Sequence, residues 1–257
     1  MRKKISAKQR AHQDYLRRKG LAAGKIYAAR LVVLRRNEVS RLLKLCANYD
    51  DVTKWSGIIA NNLNESAYLY DWTTGLYLAA GLPNAKSVTR DLSKGKADAP
   101  SGIWEQTLRS FASNRCGQNI VSVSGTLRED LQKILSEALE EDVNIGIEAL
   151  VKRVKKDFAP LNLWQARRIA QTETMIGLAE SADVAAQSTE VQFIKEWCIS
   201  GVGNTRPTHL EMDGVTVDQN EFFELEDCRM MYPHDTSMNA PAGEIINCAC
   251  SCIRIPK

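Results

Sequence analysis

The sequence predicts an α+β fold, a mostly helical N-terminal region and helix cluster followed by a small C-terminal antiparallel β-sheet. Three observations carry this. Residues 5–48 are dominated by Ala, Leu, Arg and Lys, all strong helix formers. Apolar residues at helical spacing return between 127 and 187. After Ser188 the apolar period drops to two, as in strands. The 257 residues suffice for one large domain or two small ones. The expected division is a basic then aromatic-rich helical region over 1–82, a linker or long loop over 83–102, and an α+β domain over 103–257.

In the first helix Ile26, Ala29 and Val33 recur at helical spacing, with Leu31, Leu34, Leu42 and Leu45 on neighbouring rows. Gly20 and Gly24 are expected to break it near its start. Arg17, Arg18, Lys19, Lys25, Arg30, Arg35, Arg36, Arg41 and Lys44 are expected on the remaining face. The net charge of +3 hides an asymmetry: residues 1–45 hold 14 Lys and Arg against Asp14 and Glu38, a net of +12, so the rest of the chain nets −9. That face is either a solvated helix surface or a contact to phosphates or an acidic protein surface. Two acids are too few to neutralise it through i,i+4 pairs.

Residues 49–82 continue as helix and carry Tyr49, Trp55, Tyr68, Tyr70, Trp72 and Tyr77 with Lys54 as their basic neighbour. Rings without interleaved charge read as packing residues or interface anchors, not as a platform for stacking bases. Pro83 and Pro100 bracket a small, polar stretch that reads as the linker. Thr126-Leu127-Arg128-Glu129 after Gly125 is a capping box, opening a helix with Leu127, Leu131, Ile134, Leu135 and Ala138 on one face. Asn144 is placed to cap a short helix that ends near Pro160, and a third helix spans roughly 163–187. Residues 191–199 alternate as a strand, Asp213-Gly214 reads as a turn before Val215-Thr216-Val217, and residues 244–255 read as a closing strand.

Several function classes have no signature. Lys8, Arg10, His12 and Asp14 interrupt any apolar core of a secretory signal. No run approaches the roughly 18 uncharged apolar residues of a spanning helix, so no membrane is expected as a partner. Seven cysteines in a chain expected to work in a cytoplasm argue for reduced thiols. Neither a P-loop, a Gly-x-Gly-x-x-Gly, a Gly-x-Ser-x-Gly nor a His-Glu-x-x-His occurs, and no enzyme is expected.

The candidate chemistry gathers in the last quarter. Cys248, Cys250 and Cys252 are spaced by two, so on a strand their thiols share a face. With His209, His234 and Cys228 elsewhere they form a conceivable zinc set, of which His209, Cys248 and Cys250 are the best ligands. Same-face strand residues sit about 7 Å apart. Tetrahedral zinc, with Zn–S near 2.3 Å, needs its sulfurs within about 4 Å, so the pair chelates only if the strand kinks. Without a kink, the cysteines are buried apolar packing. Arg168 and Thr172 share a helical face beside Glu173, a polar cluster expected to tie a helix to a neighbouring loop. Glu173 as a general acid or base is the catalytic alternative.

Four blocks of this segment resemble, in order, the phage head morphogenesis domain of the Mu protein F-like minor head proteins. They are Arg168-Ile169-Ala170-Gln171-Thr172-Glu173; Glu196-Trp197 with Arg206, His209 and the Asp213-Gly214 turn; Tyr232-Pro233-His234-Asp235; and Ala242 to Cys250 with Asn247-Cys248-Ala249-Cys250. The chain departs from the pattern at Ala249, where the family usually has Arg, at His234, where it usually has Gly, at the extra Cys252, and at Gly201-Val202-Gly203, where an acidic residue is common. The resemblance covers about residues 105–257. It implies a virion protein of a tailed phage or prophage, inside the capsid and in the host cytoplasm during assembly. It also implies portal protein, major capsid or scaffold protein and non-specific double-stranded DNA as partners. Arg168, Thr172, Glu173, Arg206, His209, Asp213, Gly214, Asn247, Cys248 and Cys250 are then structural motif residues. No cofactor is expected, zinc being the exception weighed above. The competing expectation is a metal-assisted hydrolase or phage-delivered effector centred on Glu173, His209, Cys248 and Cys250.

Overall fold

Most of the chain gives its backbone hydrogen bonds to long helices, and among the described residues only the last quarter pairs strands. A computed structural model describes residues 7–94, 101–142, 144–200 and 205–257. Their elements are α1 (Ala7–Cys46), a 3₁₀ turn (Val52–Lys54), α2 (Trp55–Asn62), α3 (Ser66–Leu92), α4 (Ser101–Glu141), α5 (Ile147–Gln187), β1 (Phe193–Cys198), α6 (Pro207–Met212), β2 (Thr216–Asp218), β3 (Phe223–Glu224), β4 (Arg229–Met230), α7 (Ala242–Ile245) and β5 (Ser251–Pro256). Long helices followed by a small antiparallel sheet make the protein α+β. No helix among the described residues is long and apolar enough to cross a membrane.

The helices are fewer and longer than their punctuation predicts. The linker expected over 83–102 is helical up to Leu92 in α3, which contains Pro83, and residues 101–102 already belong to α4; residues 95–100 lie outside the described residues. Ala85, Val88 and Leu92 recur on one face of α3 and are buried, so apolar burial holds the helix through the proline. The capping box at Thr126 opens nothing, because α4 runs through it while its expected face, Leu127, Leu131, Ile134, Leu135 and Ala138, is buried. α5 likewise absorbs Pro160 and merges two expected helices.

The chain divides into two units, and none of the four boundaries between them falls in 83–102. The first comprises residues 1–25, 74–111 and 170–257, the second 26–73 and 112–169. In the second, Val39, Leu42 and Leu43 of α1 pack with Trp55 of α2, Leu131 of α4 and Phe158 of α5. The buried row of α1 here is Leu31, Arg35, Val39, Leu42 and Cys46, whereas Ile26 and Val33, expected inside, are 59% and 44% exposed. Arg35 and Glu38 disguise that row in the sequence by interrupting its apolar character. Trp55 and Trp72 are buried, and the Trp72 indole donates to the Tyr27 carbonyl at 2.8 Å.

Arg35 is fully buried in this unit and so does not belong to a DNA- or portal-contacting face. Its Nε donates to Glu65 Oε1 at 2.8 Å, one terminal nitrogen to Gln165 Oε1 at 2.8 Å, and the other to the Val123 carbonyl at 3.3 Å. The Tyr68 hydroxyl donates to the same Glu65 oxygen at 2.8 Å. Burial and that carboxylate push the Tyr68 pKa up, keeping the phenol a donor.

In the first unit, α3 and α5 approach closely at glycines. A Cβ on Gly177 would stand 2.9 Å from the Tyr77 ring, and one on Gly24 of α1 would stand 2.4 Å from Thr174 Oγ1. Gly20 and Gly24 therefore do not break α1; they let it approach α5. The sheet has the order β2-β1-β5, all antiparallel, with Glu196 opposite Thr216 on one side and Ile253 on the other. Lys195 points its ammonium at the Glu221 and Met231 carbonyls, 2.6 and 2.9 Å away, which fixes the loop strands β3 and β4 beside β1. Burial lowers its pKa.

Candidate functional site

Of the stretch expected to close the sheet, only the part from Ser251 onward does so, pairing with β1. Residues 244–255 are not one strand: α7 ends at Ile245, Asn247 takes φ +58°, and β5 begins only at Ser251. The Asn247 amide donates to Thr172 Oγ1 on α5 at 3.2 Å, pinning the left-handed residue. The chain then doubles on itself, so that the Cys250 amide donates to Cys248 Sγ at 3.3 Å. This is the kink that the Cys-x-Cys spacing requires before both sulfurs can meet one partner.

That partner is His209. Pro207 at the first turn of α6 presets the helical backbone, and Arg206 just before it donates to the Ile246 carbonyl at 2.5 Å, tying α6 to the kink. The His209 ring lies edge-on to Trp197 of β1, with centroids 5.2 Å apart at 73°. Its Nδ1 is 3.5 Å from Cys248 Sγ and 3.4 Å from Cys250 Sγ. On its other side Glu244 Oε2 lies 2.7 Å from Nε2, close enough for an ion pair but out of line for a hydrogen bond. The Thr208 hydroxyl holds that carboxylate at 3.1 Å. His209, Cys248 and Cys250 are each at most 3% exposed, and their donor atoms all lie within 4.8 Å of one another.

The two thiols are not equivalent. A hydrogen bond between the two thiols lowers the Cys248 pKa against the effect of burial, with Arg206 adding to the lowering. The same hydrogen bond, with burial, raises the Cys250 pKa.

The other motif residues stand around this centre or apart from it. Gly214 takes φ +78°, its amide donates to the Trp197 carbonyl at 2.9 Å, and Asp213 Oδ1 accepts the Ile199 amide at 3.2 Å, forming the predicted turn. His234 takes φ +72° and its Nε2 lies 3.2 Å from the Cys250 carbonyl. Glu173 is buried and accepts the Tyr77 hydroxyl at 2.5 Å, linking α5 to α3, while Thr172 makes the expected tie to a loop through the Asn247 amide. Arg168 does not join Thr172 and Glu173; its guanidinium lies over the Trp164 ring, 5.2 Å from the centroid. Cys228 and Cys252 are free and outside the three-residue cluster, and residues 201–203 lie outside the described residues. Glu244 was not foreseen, because nothing in its spacing distinguishes it from a solvated helix residue.

The basic residues of α1 are mostly available. In the first unit's stretch Arg18, Lys19 and Lys25 are exposed, while Arg17 is largely covered and pairs with Asp14 at 3.3 Å. In the second unit's stretch Arg30, Arg36, Arg41 and Lys44 are exposed, Arg41 being held by Glu38 at 2.7 Å. Among the described residues, Arg18, Lys19, Lys25, Arg30, Arg36 and Lys44 pair with no carboxylate. Comparison with family models, curated proteins and solved structures gives no match to any of them.

Proposed function

We propose that the protein is a minor head protein of a tailed phage or prophage. Its exposed α1 cations contact DNA phosphates or an acidic portal surface inside the capsid, and its C-terminal α+β module is the stable body that presents them. The observation that carries this reading is the convergence of the resemblance blocks. Thr172 of the first, Arg206 and His209 of the second and His234 of the third all bond to residues 246–250 of the fourth. Motifs spread over some 80 residues of sequence thus make one constellation. The left-handed backbone at His234 agrees with the glycine that the resembled family carries there, since glycine takes positive φ without steric cost.

Each phosphate contact releases condensed counterions, so DNA binding by this helix is non-specific and salt-dependent. Against the hydrolase alternative stands the burial of the His209, Cys248 and Cys250 side chains, which leaves no substrate-facing donor among them. The test is binding of the full chain to random-sequence duplex DNA as a function of salt. Deleting α1 is uninformative because Leu31, Leu42 and Leu43 belong to the core. Gln at Arg18, Lys19, Lys25, Arg30, Arg36 and Lys44 is the discriminating change. The slope of log K against log salt should fall by about 0.9 for each lost phosphate contact. An unchanged slope, with portal co-purification also intact, overturns the assignment to these residues.

A further inference from the structure

We propose that His209 Nδ1, Cys248 Sγ and Cys250 Sγ form a zinc site that fastens the 246–250 kink to α6. The argument rests on distances. Tetrahedral zinc with Zn–N near 2.05 Å and Zn–S near 2.3 Å separates its nitrogen and sulfur ligands by about 3.6 Å. The observed separations are 3.5 and 3.4 Å to the same ring nitrogen. Both sulfurs meet the same atom, Nδ1, and the three donor atoms lie within 4.8 Å of one another, a spacing that one ion can bridge.

The surroundings fit the same ion. Metal-bound histidines present their second nitrogen to a carboxylate or carbonyl that fixes the ring and raises its basicity. Glu244 Oε2 stands 2.7 Å from Nε2, out of line for a hydrogen bond but placed as the charge partner of the ring, and is itself held by Thr208. The amide of Cys250 points at Cys248 Sγ, a donor that stabilises a thiolate in place. Two sulfurs and one imidazole select a borderline-soft cation, Zn²⁺ above Mg²⁺ or Ca²⁺. Three protein donors leave one coordination position for water. Uptake replaces the thiol protons by the ion and releases them to solvent, and no oxidant or reductant enters.

The ion's role follows from what it joins. α6 has six residues and α7 has four, too short to hold their places by their own hydrogen bonds. An ion bridging His209 to Cys248 and Cys250 fastens the stretch after α7 to the middle of α6, independently of whether α1 binds DNA.

The experiment is zinc analysis of the full chain, purified without chelator or a metal-affinity tag, together with Co²⁺ substitution of the zinc-free protein. About one equivalent of zinc per chain is expected, and a thiolate-to-cobalt charge-transfer band on adding Co²⁺. C248S and C250S should each abolish the band, while C252S and C228S, outside the cluster, keep it. E244Q removes only the group beside Nε2 and should weaken zinc affinity by about 10–100-fold. Because C248S or C250S can unfold the module, E244Q and far-ultraviolet circular dichroism keep the result interpretable. Wild-type protein that is folded, reduced and offered Zn²⁺, yet takes up less than about a tenth of an equivalent, overturns the site. Cobalt binding that survives C250S in folded protein also overturns it.

Discussion

The two units bury polar side chains in opposite ways. In the second, Arg35 meets Glu65, Gln165 and the Val123 carbonyl, and Glu65 takes a further bond from Tyr68, so one positive and one negative charge face each other with every Arg35 nitrogen engaged. In the first, His209 meets two sulfurs and a carboxylate, an excess of electron-rich atoms over donors. The Arg35 arrangement pairs its charges within the chain, with Glu65 Oε2 the one carboxylate oxygen left without a hydrogen bond. The His209 arrangement would be completed by the proposed cation. A buried polar group costs free energy unless it is paired, so the two centres should respond differently to substitution and to metal.

The largest effect is expected at Arg35. R35M leaves Glu65 buried without its counter-ion and should cost about 3–5 kcal/mol in urea denaturation. Replacing both partners, as in R35M/E65L, should recover most of that loss, because no charge then stays buried alone. A double variant no better than the single would show that Arg35 acts through packing. Neither variant should change bound zinc, since Arg35 is not among the donors.

A smaller and pH-dependent effect is expected at Glu180, half-buried in the first unit with its Oε2 2.7 Å from the Tyr232 hydroxyl. Burial raises its pKa above the ordinary 4.5, and the Tyr232 hydrogen bond only partly reverses this. A carboxyl whose folded pKa is raised contributes stability that is complete below the unfolded pKa and is lost as pH rises through the folded one. E180Q keeps an acceptor for Tyr232 but never ionises. Its stability relative to wild type should therefore improve between pH 4 and neutral pH, read as midpoint shifts in urea at a series of pH values. A relative stability that is flat across that range would remove the sign.

Much of the helical architecture was legible, because Leu127, Leu131, Ile134, Leu135 and Ala138 announce a buried face by spacing alone. The strands β1 and β2 were legible in the run at 191–199 and the Asp213-Gly214 turn, whereas the order β2-β1-β5 was not. What the sequence hid was decided by tertiary contacts. Pro83 and Pro160 look like helix ends, yet α3 and α5 run through them. Gly20 and Gly24 look like breakers and are points of close approach. Arg35 looks like one cation among nine, and only Glu65 and Gln165, 30 and 130 residues away, make it a core residue. The candidate metal residues were identifiable by type, but the apolar pattern of 244–255 reads as a strand that would hold the sulfurs apart. The positive φ of Asn247 removes that obstacle, and no residue pattern marks it in advance.

The contrast between the two centres is tested most directly by zinc-edge X-ray absorption on the full chain. The account predicts a first shell of two sulfurs near 2.3 Å with nitrogen or oxygen near 2.0–2.1 Å, reduced in sulfur content by C250S. A shell of oxygen and nitrogen without sulfur, or a chain that carries no zinc at all, would contradict it.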